Sequence, residues 1–244
     1  MYVGVPPRIN VDLSSADIVT REGQTVTLTC SVTGIPPPVV HWYRRPLDQA
    51  IWKPKERVGM NGDILIIHNI SRYCDGIYEC FAFNKVPPAV NKEIKVEVEF
   101  PPEINFRTRK IGQEPGRETI LECQITAFPM NFLVWRYNNQ DLLTSKKYRV
   151  EIYEEGHHEK TLSLRVKNIT YADYGNYTCF AKNKLGTDQD VVLLYEDRHY
   201  QKPKTSTTTF NPPLLRTTVH QTIWLTVDDF RKPIDGNDRG ALSP

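Results

Sequence analysis

The chain has 244 residues, with 31 Lys and Arg against 29 Asp and Glu, and its net charge of +2 excludes the strongly basic surface of a nucleic-acid binder. Hydrophobic residues make up 39% and charged ones 25%, an ordinary globular balance, and no apolar run reaches the roughly 20 residues of a membrane-spanning helix. Cysteine usage points to an oxidising, extracellular compartment, because paired disulfides persist there.

In chain order, Pro6-Pro7 comes first; proline cannot donate to a ladder, so the pair belongs on an edge strand or at a strand start. Val26, Leu28, Cys30 and Val32 alternate with Thr and Ser, the period of two that a half-buried strand requires. Val40-x-Trp42 marks the next strand, and Leu65-x-Ile67-x-x-Ile70 another with the turn that ends it. Tyr78, Cys80 and Ala82 face inward on the following strand, and Ile94, Val96 and Val98 on the last of this half. That strand runs through Glu99-Phe100-Pro101-Pro102 with no Gly/Ser linker, so a stiff, extended junction is expected. The pattern then recurs in Leu121, Cys123 and Ile125, in Leu133-x-Trp135, in Leu164-x-Val166-x-x-Ile169, and in Tyr177, Cys179 and Ala181. The closing strand is less clean, within the run Val191–Tyr195. After Asp197 the composition turns to Thr and Pro (Thr205, Thr207–Thr209, Thr217, Thr218, Pro203, Pro212, Pro213), the mark of a disordered or O-glycosylated stalk.

In both copies Trp follows the first Cys by twelve residues, and Gly-x-Tyr-x-Cys closes the pattern; the cysteines are 50 residues apart in one copy and 56 in the other. Such a Cys–Trp–Cys framework, with Tyr two residues before the second Cys, is that of an immunoglobulin-type sandwich. It implies disulfides Cys30–Cys80 and Cys123–Cys179, covered by Trp42 and Trp135, with Tyr78 and Tyr177 anchoring the corner before their strands. The expected fold is all-β: tandem immunoglobulin-like sandwiches of I-set type over residues 1–99 and 100–197, with a disordered tail over 198–244. Binding rather than catalysis is the default for such a tandem. The residues show no Ser/His/Asp motif, no phosphate-cradling Gly loop and no Glu pair in a plausible pocket.

Beyond the fold, Val5-Pro6-Pro7, Asn84-Lys85-Val86-Pro87-Pro88-Ala89-Val90, Phe100-Pro101-Pro102, Ala127-Phe128-Pro129 and Ala181-Lys182-Asn183-Lys184-Leu185-Gly186 resemble the IgLON, lachesin and Dpr-interacting-protein group. The order of these motifs matches the group's second and third domains. The resemblance implies a three-immunoglobulin neuronal adhesion molecule, usually lipid-anchored, on the outer face of the plasma membrane or secreted. Its partners would be other immunoglobulin-superfamily cell-surface proteins, bound homophilically or heterophilically, mainly through a first domain absent from this sequence. Neither end of the sequence reads as a signal peptide or an anchor signal, so a piece or truncated form of a longer protein is expected. The alternative is an ectodomain fragment of an immunoglobulin-type signalling receptor. No enzyme activity, cofactor, nucleic acid or small-molecule substrate is expected.

Several motifs have a plain and a functional reading. Asn69-Ile70-Ser71, Asn168-Ile169-Thr170 and Asn176-Tyr177-Thr178 are N-glycosylation sequons; the first two occupy the same turn in both repeats, which favours modification over chance. Cys74, the odd cysteine, stands where Asp173 stands in the second copy; an inert, buried thiol is favoured over an intermolecular disulfide. The replacement removes one ion pair near Arg57, whereas Asp173 has Lys147 or Arg149 as partner. His157-His158-Glu159 suggests a metal site, but neighbours on a strand point to opposite faces, so a solvated turn is expected and no metal.

Overall fold

The computed structural model describes residues 4–47 and 54–197; the expectations for Met1–Val3 and for the 198–244 tail lie outside the described residues. The first repeat contains β1 (Val5–Ile9), β2 (Ile18–Arg21), β3 (Val26–Thr29), β4 (Val32–Ile35), β5 (Val39–Arg45), β6 (Glu56–Val58), β7 (Ile64–Ile67) and β8 (Gly76–Phe83). It leads through β9 (Val90–Asn105) into β10 (Lys110–Gln113), β11 (Thr119–Phe128), β12 (Phe132–Tyr137) and β13 (Gln140–Leu142). The second repeat ends with β14 (Tyr148–Glu154), β15 (Glu159–Val166), β16 (Gly175–Asn183) and β17 (Gly186–Glu196).

Each repeat is a sandwich of two sheets. In the first, β1 pairs with β4 and β3 with β7, opposite a sheet ordered β6-β5-β8-β9 to which β2 adds, parallel to β9. In the second, β14-β15-β11-β9 lies opposite β10-β17-β16-β12-β13, and β10 again runs parallel to β17. The alternation read in the sequence has a direct cause: side chains at every second position fall on the inner face of a strand. Val26, Leu28 and Cys30, then Leu121, Cys123 and Ile125, are buried in this way.

β17 shows where patterning stops short. Its run is apolar on both sides, so periodicity gives it no phase. Pairing with β16 sets Val192 against Tyr177 and Leu194 against Gly175, which buries Val192 and Leu194 and leaves Val191 and Tyr195 outside.

β9 belongs to both sandwiches. Its first half pairs with β8 and buries Ile94, Val96 and Val98 in the first core; its second half pairs with β11 and buries Ile104 in the second. Pro101-Pro102 lies where the strand passes between the two. There β9 is the outer strand of its sheet, and its register with β11 shifts between Thr126 and Phe128, so the missing proline donors interrupt no regular ladder.

Candidate functional site

The framework residues form the same device twice. Cys30 is bonded to Cys80 and Cys123 to Cys179, across Cα separations of 6.4 and 6.6 Å. Trp42 donates from Nε1 to the Gly62 carbonyl at 3.0 Å and Trp135 to the Leu162 carbonyl at 3.2 Å, so each buried indole has its polar group satisfied. The Tyr78 hydroxyl donates to the Cys74 carbonyl and the Tyr177 hydroxyl to the Asp173 carbonyl, both at 2.8 Å. Burial pushes the Tyr78 phenol up to about 12 and raises Tyr177 as well, so both remain protonated donors at neutral pH. Gly76 precedes this corner because any Cβ there would lie 2.7 Å from the Arg45 carbonyl oxygen.

Asn84 and Asn183, which in the sequence are only parts of the resemblance motifs, are buried. Asn84 donates from Nδ2 to the carbonyls of Val5 and Pro36, both at 2.8 Å, and its Oδ1 accepts from the Val86 amide at 3.1 Å. Asn183 does the same in the second repeat, towards Phe100 (2.8 Å) and Pro129 (3.2 Å), while accepting from the Leu185 and Gly186 amides. Each ties three segments of chain together in its sandwich. The available signal was Asn-Lys recurring at the same offset as the strand motifs.

The three sequon asparagines are exposed. Asn69 and Asn168 have φ of 48° and 46°, the left-handed conformation that Asn tolerates better than most residues. The residue after each is locked to the neighbouring turn: Ile70 exchanges backbone bonds with Gln24 and Gly23, Ile169 with Arg117 and Gly116. The asparagine is thereby held outward at the same place twice. Asn176 lies on β16 opposite Leu193, with its side chain on the outer face.

Cys74 is half-buried against the first core at the end of a 3-10 turn, Arg72–Cys74, with Sγ 3.6 Å from Ser71 Oγ. Asp173 ends the matching turn, Tyr171–Asp173, where Thr170 and Lys147 Nζ (2.5 Å) bind its carboxylate; Arg149 instead pairs with Glu151. Burial raises the Asp173 carboxyl, but the Lys147 and Thr170 hydrogen bonds outweigh it and hold the group below its ordinary value. Arg57 is not the counterpart of Lys147: it lies on β6, which pairs with β5 in the opposite sheet, and its side chain meets Asn61.

His157 and His158 also depart from expectation. They lie on a bend between β14 and β15, not on a strand, so the opposite-face argument does not apply. Their rings are 4.3 Å apart, and both stand beside Phe128. His158 also packs edge-on against Phe100 at 5.3 Å and contacts the Asp75 carboxylate of the first repeat. This is the junction between the repeats rather than a solvated turn. Phe100 is its buried centre, with the Arg72 guanidinium over its ring, 4.0 Å from the centroid. Arg72 is bidentate to Glu22 and pairs with Glu103 at 2.8 Å, and Lys184 pairs with Glu99. Burial and the neighbouring His158 lower the His157 pKa, which favours a neutral ring.

Comparison with known proteins agrees with this architecture. An immunoglobulin domain model matches residues 6–84, and an immunoglobulin I-set domain model matches residues 102–195. Lachesin of Schistocerca americana is 34% identical over 201 residues, 80% of this chain and 55% of that protein. Limbic system-associated membrane protein of Rattus norvegicus is 33% identical over 196 residues, 80% of this chain and 54% of that protein. A chain from the crystal structure of Dpr2 Ig1-Ig2 in complex with DIP-Theta Ig1-Ig3 has a TM-score of 0.73 at 33% identity, covering 80% of this chain and 66% of that one. The chain thus spans about half the length of the curated relatives it matches.

Proposed function

Because the chain belongs to the immunoglobulin superfamily, and its two domains resemble those of lachesin and limbic system-associated membrane protein, we propose that it is part of a cell-surface adhesion and recognition protein acting by protein–protein binding. The observation that carries this reading is the similarity over 80% of the chain, spanning both domains and the strand they share. Its partners are other immunoglobulin-superfamily proteins, and it has no catalytic role. A solved complex between two such multi-domain chains supports that class of partner. The domains here take the places of the group's second and third. They act as spacers that hold an adhesive domain away from the membrane, and the shared β9 suits that role because no flexible linker separates them. Among the described residues no helix is long and apolar enough to cross a membrane. Surface staining of unpermeabilised cells that express the gene tests the reading, together with a binding screen against immunoglobulin-superfamily ectodomains. Absence of a surface pool would overturn it.

Sugars belong to the same reading. Secreted behind a working signal peptide, the chain is expected to carry N-glycans on Asn69 and Asn168, with Asn176 as a third acceptor. Treatment with an N-glycosidase should lower the mass, and Asn69→Gln with Asn168→Gln should remove most of that shift. An unchanged mass would count against exposure of the matched turns to the glycosylation machinery.

As spacers, these domains should not associate strongly. Stable interfaces bury roughly 1,200–2,000 Å², and glycans on both domains obstruct the close packing that such an area needs. The glycosylated chain is therefore expected to sediment as a monomer at micromolar concentration, and beads coated with it should stay dispersed. A tight dimer would move the adhesive role onto these two domains; if reductant dissolved that dimer, Cys74 would be the link.

A further inference from the structure

We propose that Asp75, His157 and His158 form a binding site for a zinc-class divalent ion at the junction of the two domains, and that the ion clamps that junction. The three residues come from separate parts of the chain. Asp75 follows the 3-10 turn before β8 in the first domain, and the histidines sit on the β14–β15 bend of the second. One ligand atom from each lies within 4.8 Å of the other two. Ligands of one tetrahedral zinc ion, bound at about 2.0–2.2 Å, stand roughly 3.4 Å apart. The direct His158–Asp75 contact would open to admit the ion between them.

The donor set is selective. Two imidazoles and one carboxylate suit zinc and its first-row neighbours, whereas magnesium and calcium favour all-oxygen sites. The surroundings are those of a built site. The Asp75 side chain is 8% exposed, His158 16% and His157 32%, so the donors are largely desolvated and one edge stays open. That edge faces a cleft of roughly 500 Å³ whose lining includes Arg72, Glu103 and both histidines, which gives an ion a way in. His158 Nδ1 is buried and finds no hydrogen-bond partner among the described residues. Hydrogen bonding within the junction therefore does not fully account for this ring.

Supporting groups are also present. The other Asp75 oxygen accepts from the Val98 amide at 2.5 Å, which fixes the carboxylate in place. Glu97 Oε1 stands 3.6 Å from His157 Nε2, where it can orient the ring or complete the coordination. The neighbouring cations have partners of their own: Lys95 pairs with Glu97 at 2.7 Å, Arg44 donates to the main-chain carbonyls of Tyr73 and Asp75, and Arg72 pairs with Glu22 and Glu103. An ion held here would join the turn before β8 to the β14–β15 bend beside Phe100, adding a coordination link to the packing that already connects the two domains.

The test is calorimetric titration of ZnCl2 into the secreted, EDTA-treated full chain, with thermal unfolding as a second reading. One ion per chain is expected, with a higher unfolding temperature, and magnesium should give neither effect. His157→Ala and Asp75→Asn should each weaken binding at least ~10-fold. His157→Ala is the decisive variant, because it leaves the Asp75–His158 contact and the Val98 hydrogen bond in place, and its unfolding in EDTA reports whether it folds. The pairs His41→Ala with His68→Ala and His199→Ala with His220→Ala should leave binding unchanged. No zinc binding, or binding undiminished by His157→Ala, overturns the proposal.

Discussion

Replacing Cys123 and Cys179 together by alanine is expected to destabilise the second domain by about 4 kcal/mol, the loop-closure entropy returned to an unfolded chain when a crosslink across 56 residues is lost. Both sulfurs are buried in the core against Trp135, so small cavities add to that loss. A small domain holds only about 5–15 kcal/mol of net stability, and the variant should therefore unfold at far lower denaturant. Urea unfolding followed by Trp135 fluorescence measures it. A drop below about 1 kcal/mol would mean that the bridge constrains little of the unfolded ensemble. Cys30→Ala with Cys80→Ala should give the corresponding loss in the first domain.

Asn183→Ala is expected to cost about 3 kcal/mol, although it removes only a small polar side chain. The side chain is 5% exposed and makes four hydrogen bonds, to the Phe100 and Pro129 carbonyls and from the Leu185 and Gly186 amides. Alanine would strand all four backbone groups where water reaches them poorly. Asn183→Asp separates the two halves of the interaction: it keeps an acceptor for the amides but sets a carboxylate against two carbonyl oxygens, so it should be at least as damaging. If Asn183→Ala unfolds at the same urea concentration as the parent chain, water replaces the side chain freely and the knot has no stabilising role. The same change at Asn84, with three bonds, should be milder.

The all-β class, the duplication and the inner face of most strands are legible in the residue pattern. Each of these depends on signals carried within one short stretch of chain. Period two sorts Leu121, Cys123 and Ile125 from their neighbours, and the spacing of Cys, Trp and Tyr names the sandwich because facing strands must meet at those points. The paired turns of Asn69 and Asn168 were legible for the same reason. Tertiary structure alone decided what depends on a partner remote in sequence. The apolar run of β17 has no phase until β16 is beside it, and Arg57 reads as the basic neighbour of Cys74 until β6 is seen to pair with β5. Asn84 and Asn183 look like ordinary loop residues until three segments close around them. The largest difference is at the junction. His157 and His158 read as a polar turn because the groups that enclose them, Asp75 and Phe100, lie in or beside the first domain, and the periodicity of one domain carries no information about the surface another domain will cover.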